Sequence, residues 1–235
     1  MATKGGPNII TDGLVLALDA ASPRSYPGTG TTWYDLSGQG NNGTLVNGPT
    51  FSSANRGIIV FNYQDYVNTI DPGYPSSGTN SFSLEIVFRI PAGATWSNGG
   101  SGTAIIGRGS YAGSIGIIRS STTNQVSFWV RLNGGIIFNP SISGISRDQF
   151  HHVLGTYNSS GVAKIYHNGN FITEQIGSNV GTLDAGSYRL GGAIAFGGVS
   201  GEYGQGDISL TKIYNRELSS TEVLQNYNAT KSRFI

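Results

Sequence analysis

The 13 carboxylates of this 235-residue sequence decide most of the chemistry open to it. Hydrolysis of a glycosidic bond needs two carboxyl groups flanking that bond, about 5–9 Å apart. The run Phe82 to Ile90 carries Glu85 alone, and Asp12, Asp19, Asp35, Asp65, Asp71, Asp148, Glu174, Asp184, Glu202, Asp207, Glu217 and Glu222 stand singly. His151 and His152 suggest a base or a metal pair. Adjacent strand residues point to opposite faces, however, so these two do not chelate one ion together. One of them is expected to be a core or inter-sheet histidine with a satisfied ring nitrogen, and His167 reads as a surface residue. No serine stands in a nucleophile elbow, and Gly191-Gly192 lacks the rest of a phosphate cradle. With no cysteine, disulfides, thiolate metal sites and cysteine nucleophiles are excluded. These residues predict binding or structure, not catalysis.

Sugar recognition needs aromatic faces and a few planar polar groups at a rim, and exposed loop aromatics are where binding concentrates. Trp96, Tyr111 and Tyr203 lie in Gly/Ser-rich stretches and are the candidates. The alternative is chance, since 12 Tyr, 10 Phe and 3 Trp must place some rings in loops.

The elements that must carry these residues are strands. His152, Leu154 and Thr156 alternate with Val153, Gly155 and Tyr157, a two-residue period. Asn158 to Gly161 supplies a turn, Val162 to His167 a second strand, and Asn168-Gly169 a tight hairpin turn before Phe171. The result is a three-stranded antiparallel meander. Further strands are read at Leu14 to Ala20, Thr44 to Val46, Ile58 to Phe61, Asp65 to Val67, Phe82 to Ile90 (half-buried), Ile105-Ile106, Ile115 to Ile118, Val126 to Leu132, Ile136 to Phe138, Tyr188 to Gly192 and Asp207 to Tyr214. One helix is predicted, Ser220 to Ala229. Ser219 and Glu222 form its capping box, and Leu218 staples to Val223.

The order aromatic-His-His-Val, Gly-Thr-Tyr, a Gly-bearing turn, Lys-Ile-Tyr and Asn-Gly, from Phe150 to Gly169, resembles the laminin-G-like domain of the concanavalin A-like lectin/glucanase superfamily. The version it most resembles occurs in phage and other virion proteins. The loop Asp35 to Gly43, the strand Phe82 to Ile90, and the close Asp207 to Ser219 resemble the same family. The resemblance implies an all-β, two-sheet antiparallel sandwich, a jelly roll with a short C-terminal helix. Enzymes of the superfamily carry two Glu with an intervening Asp on one strand, a pattern missing here. A polysaccharide hydrolase is therefore the weakest of three readings.

The resemblance also implies a single structural Ca²⁺ at a sheet edge. Calcium takes about six to eight oxygen ligands, and a lone carboxylate in an apolar strand, as at Asp19, is costly without a partner. Asp19, Asp35, Asn41 and Asp207 are the candidate ligands. The competing reading has Asp19 capping amides or pairing with an arginine, while Asp35 and Asn41 build a turn.

Length suits one large β domain, with residues 1–12 as an N-terminal arm and 13–235 as the sandwich. Only 11% of residues are charged, Gly numbers 36, and net charge is +1 with no basic run, so neither nucleic acid nor membrane is an expected partner. The start Met1 to Gly6 lacks a signal peptide's apolar core. The expected setting is a virion made in a host cytoplasm, with an extracellular setting as the alternative. Two functions are carried forward. One is a non-enzymatic virion structural or decoration protein of capsid, neck or tail fibre, partnered by other virion proteins or itself and adhering to cell-surface glycans. The other is a carbohydrate-binding module or lectin outside a virion.

Overall fold

The computed structural model describes residues 8–94, 103–109, 113–120, 124–191 and 204–234. Within them the chain forms two antiparallel sheets packed face to face. The eight-stranded sheet runs, edge to edge, through Asn170–Ile176, Val162–His167, Phe150–Tyr157, Phe82–Arg89, Gly206–Tyr214, Ile58–Phe61 and Thr50–Ser52, with Leu14–Asp19 also on Gly206–Tyr214. The nine-stranded sheet runs through Ile137–Phe138, Gln125–Arg131, Ile115–Arg119, Thr103–Arg108, Arg189–Leu190, Tyr66–Thr69, Gly43–Val46 and Thr32–Trp33, with Ser141–Ser143 also on Gln125–Arg131. This is the two-sheet sandwich that the sequence implies. Ile58–Phe61 and Tyr66–Thr69 flank a short turn but enter different sheets, so that turn is a crossover between the sheets.

The period-two patterns explain the core. Leu84, Ile86 and Phe88 on one sheet face Val126, Phe128 and Val130 on the other, all buried in one apolar cluster. Gly155 lets the sheets approach, because a Cβ there would collide with the Phe128 ring. In the meander, Asn168 and Gly169 take φ of 50° and 80°, the double left-handed turn that an Asn-Gly pair favours.

The strand Phe82–Arg89 departs from the half-buried expectation, since only Arg89 is not fully buried. Its second face is covered by the C-terminal helix, Ser220–Thr230, whose capping box Ser219–Glu222 forms as predicted. Leu218 and Val223 join Leu14, Leu154, Tyr166 and Tyr214 in a second apolar cluster on that face, against which Ile9 and Ile10 pack. Residues 8–12, the described part of the expected arm, thus lie on their own domain: Ile10 N–H donates to Asn226 Oδ1 at 2.8 Å and Gln225 Nε2 donates to the Asn8 carbonyl at 2.7 Å.

Candidate ligand-binding face

The outer face of the nine-stranded sheet carries the best arrangement for recognition. On Gln125–Arg131, Val126, Phe128 and Val130 point inward, so Gln125, Ser127, Trp129 and Arg131 lie on the opposite face. Pairing with Ser141–Ser143 sets Ser141 beside Ser127 and Ser143 beside Gln125, and the Ser127 and Ser141 hydroxyls are 2.9 Å apart. Asn124, Gln125, Ser143 and Gly144 line a shallow hollow of about 170 Å³ at this end. Trp129, half-buried, packs on Ala104 and Ile118 and donates its indole N–H to Ser114 Oγ at 3.0 Å. Its ring orientation is thereby fixed.

Register continues this side across the sheet, but Thr103–Arg108 and Ile115–Arg119 are buried at every position, so its accessible ground lies at the two ends. Trp129 lies beside Gly116, Gly116 beside Gly107, Gly107 beside Arg189, Arg189 beside Asn68, and Asn68 beside Thr44. At the far end the Arg189 guanidinium lies 5.0 Å from the Tyr66 ring centroid and donates to Asn68 Oδ1 at 3.4 Å. Three strand spacings of about 4.8 Å put Trp129 and Arg189 about 14 Å apart, with two buried glycines between. At the Gln125–Arg131 end, amides and hydroxyls near a half-buried indole suit a polyhydroxylated ligand. Trp129 was not among the sequence candidates. Trp96, Tyr111 and Tyr203 lie outside the described residues.

The four candidate calcium ligands are engaged elsewhere, and as arranged they do not fit an ion. Asp19 takes both terminal nitrogens of Arg233, at 2.7 and 2.9 Å, and accepts from the Ala21 N–H at 2.9 Å. Asp207 accepts from Arg89 Nε at 2.7 Å. Asp35 accepts from the N–H groups of Ala17, Ser37 and Asn41, and from the Ser37 hydroxyl at 2.6 Å. The Asn41 amide donates to the Val15 carbonyl at 2.7 Å. The loop Asp35 to Gly43 is therefore held by its own carboxylate, through bonds that occupy the oxygens a cation would need. Among the described residues no three His, Cys, Asp or Glu side chains gather to hold a metal.

Glu85 is not placed for catalysis either. It is fully buried, 2.6 Å from Lys212 Nζ and 3.2 Å from His152 Nε2, and accepts from Asn226 Nδ2 at 2.7 Å. Burial alone would raise its carboxyl, but Lys212 and His152 outweigh that and hold it down at about 2. His152 is thus a buried histidine with one ring nitrogen satisfied by Glu85, while its Nδ1 has no partner. His151 faces the inter-sheet rim, where it meets His167. His167 is half-buried there and not the surface residue expected from its place beside a turn.

A family model described as the Concanavalin A-like lectin/glucanases superfamily matches residues 61–224. No curated protein matches the sequence. Among solved structures, the binding domain of Paraclostridial Mosquitocidal Protein 1 aligns with a TM-score of 0.71 at 16% identity, covering 93% of this chain and 52% of that one. The binding domain of Botulinum neurotoxin DC, in complex with rat synaptotagmin II, aligns with a TM-score of 0.68 at 18% identity, over 94% and 52%. A structure of botulinum neurotoxin type C, whose cell entry depends on interaction with two ganglioside molecules, gives a TM-score of 0.68 at 20% identity, over 94% and 52%. The chain spans about half the length of these toxin domains, and at such identities the likeness is one of fold.

Proposed function

This chain belongs to the concanavalin A-like lectin/glucanases superfamily, and from that premise we propose that it is a non-enzymatic, lectin-like domain that binds glycans on the outer face of its nine-stranded sheet. The observation that carries this reading is Trp129, an indole on the side of its strand that also carries Gln125, Ser127 and Arg131, with Ser141 paired beside Ser127. An indole face stacks on the C–H face of a pyranose, and neighbouring hydroxyls and amides take its O–H groups. Glu85 supports a binding role over hydrolysis, because its carboxylate is consumed by Lys212 under a helix. The botulinum relatives add support by analogy, one with gangliosides and one with a protein receptor. The setting we propose is a virion surface, on the strength of the sequence resemblance to virion domains, with glycan adhesion as the task of the domain there.

A glycan array probed with the intact chain and with Trp129→Ala tests the reading. Binding that falls at least about tenfold in the variant, a loss of about 1.4 kcal/mol, supports it. Binding kept in Trp129→Ala but lost in Trp96→Ala moves the site off this face. Binding to no glycan overturns the lectin reading and leaves a purely structural virion component.

A further inference from the structure

The meander brings together two histidines that are 16 residues apart in sequence. His167 pairs across the sheet with Val153, and His151, two residues before Val153, shares its face. We propose that His151 and His167 form a two-histidine site for a divalent transition-metal ion of the Cu²⁺, Ni²⁺ or Zn²⁺ class, with water completing its coordination.

Distance is the first argument. His151 Nδ1 and His167 Nε2 are 3.0 Å apart. Two nitrogens bound to one ion at about 2.0–2.1 Å stand about 2.9 Å apart at a right angle and about 3.4 Å apart at the tetrahedral angle. The observed separation falls inside that span, so the two nitrogens stand at the spacing of neighbouring ligands on one ion, and ring rotation would turn both lone pairs onto it.

Tautomer is the second. His151 Nε2 lies 2.8 Å from the Ser146 carbonyl oxygen. A carbonyl only accepts, so the neutral ring carries its proton on Nε2 and leaves the Nδ1 lone pair facing His167. A backbone carbonyl on the far nitrogen is the outer-shell partner that orients metal-binding imidazoles. In the metal-free pair, His167 Nε2–H donates to His151 Nδ1. When an ion enters, that proton moves to His167 Nδ1, a change of tautomer with no net proton released.

Of the two rings, His167 is half-buried and His151 is 4% exposed, so an ion would enter from the His167 side. His152 stays out, since its Nε2 serves Glu85 on the opposite face of the sheet.

Titration with the Cu²⁺–iminodiacetate complex, followed by electron paramagnetic resonance, tests the site. The chelate fills three coordination positions and leaves neighbouring ones for two imidazoles. The expected result is a one-to-one complex whose superhyperfine pattern shows two imidazole nitrogens, weakened at least tenfold in His167→Asn. A wild-type spectrum with one imidazole nitrogen or none overturns the proposal whether or not the variant folds. Equal affinity in a folded His167→Asn overturns it as well.

Discussion

Glu85 Oε1 lies 2.6 Å from Lys212 Nζ on the adjacent strand, and both side chains are withdrawn from solvent, at 0% and 5% exposed. The pair sits beneath the C-terminal helix, in register at directly opposed positions. Desolvating two charges offsets much of their attraction, so the pair adds little net stability. Breaking it is another matter, because a buried charge is then left without its partner. Glu85→Gln is expected to cost about 3–5 kcal/mol, read by urea unfolding. Glu85→Gln combined with Lys212→Met should recover much of that loss. A cost below about 1 kcal/mol for the single variant would mean that Lys212 finds another partner or reaches water. With the Glu85 carboxyl held at about 2, its contribution is complete above the ordinary carboxylate range and fades as pH falls toward that value.

Calcium should have no effect on stability. Arg233 and Arg89 neutralise Asp19 and Asp207, and the Asp35 oxygens are taken by backbone amides and Ser37. Millimolar Ca²⁺, compared with EDTA, is expected to leave the melting temperature unchanged. Arg233→Ala, in contrast, should lower stability by about 1.5–3 kcal/mol, the worth of hydrogen bonds to a charged group. A rise in melting temperature with Ca²⁺ in the wild-type chain would show that the carboxylates exchange arginine for the ion.

The meander, the turn at Asn168-Gly169 and the capped helix are legible in the sequence because each rests on local chemistry: strand period, left-handed turn residues and an N-cap. Trp129 was within reach too. The parity that turns Val126, Phe128 and Val130 inward turns Trp129 outward, so a strand aromatic, and not only a loop one, is a recognition candidate. Other features depend on register and closure, which no local pattern encodes. Asp19 meets Arg233 across 214 residues, and His151 meets His167 only through hairpin pairing. The strand Phe82–Arg89 alternates as a half-buried strand should, yet the helix covers its polar face, so Ser83 and Glu85 become interior polar groups.

Acid should weaken the fold in a window separate from that of Glu85. His167 binds its proton at about 4 in the folded chain and near 6.5 when unfolded. Between those values the unfolded chain holds more protons, so stability falls as pH falls. The ring is partly exposed, so solvent screening limits the loss to about 1–2 kcal/mol. Urea unfolding at pH 7 and pH 5 is expected to show this drop, and His167→Asn should flatten it. An unchanged slope in the variant would assign the acid sensitivity to other groups.

Asn226 ties three separate parts of the chain together, which makes its removal the most informative change on the helix-covered face. It is fully buried, and its amide donates to Glu85 Oε2 at 2.7 Å and to the Tyr214 hydroxyl at 2.9 Å, while its oxygen accepts from the Ile10 N–H at 2.8 Å. Tyr214 in turn donates to the Ile10 carbonyl at 3.1 Å. A single amide therefore holds the N-terminal segment, the last strand and the central carboxylate in one network. Asn226→Ala leaves the Ile10 N–H and one Glu85 oxygen without their partner, at about 1–3 kcal/mol for each buried group left unsatisfied. The expected total is about 2–5 kcal/mol, with Ile9 and Ile10 losing their anchorage on the helix. Hydrogen exchange should report that loss as faster exchange at Ile10 than in the wild-type chain, with the meander amides protected as before. Uniformly faster exchange throughout would instead mean that Asn226 supports the whole sandwich and not the attachment of residues 8–12.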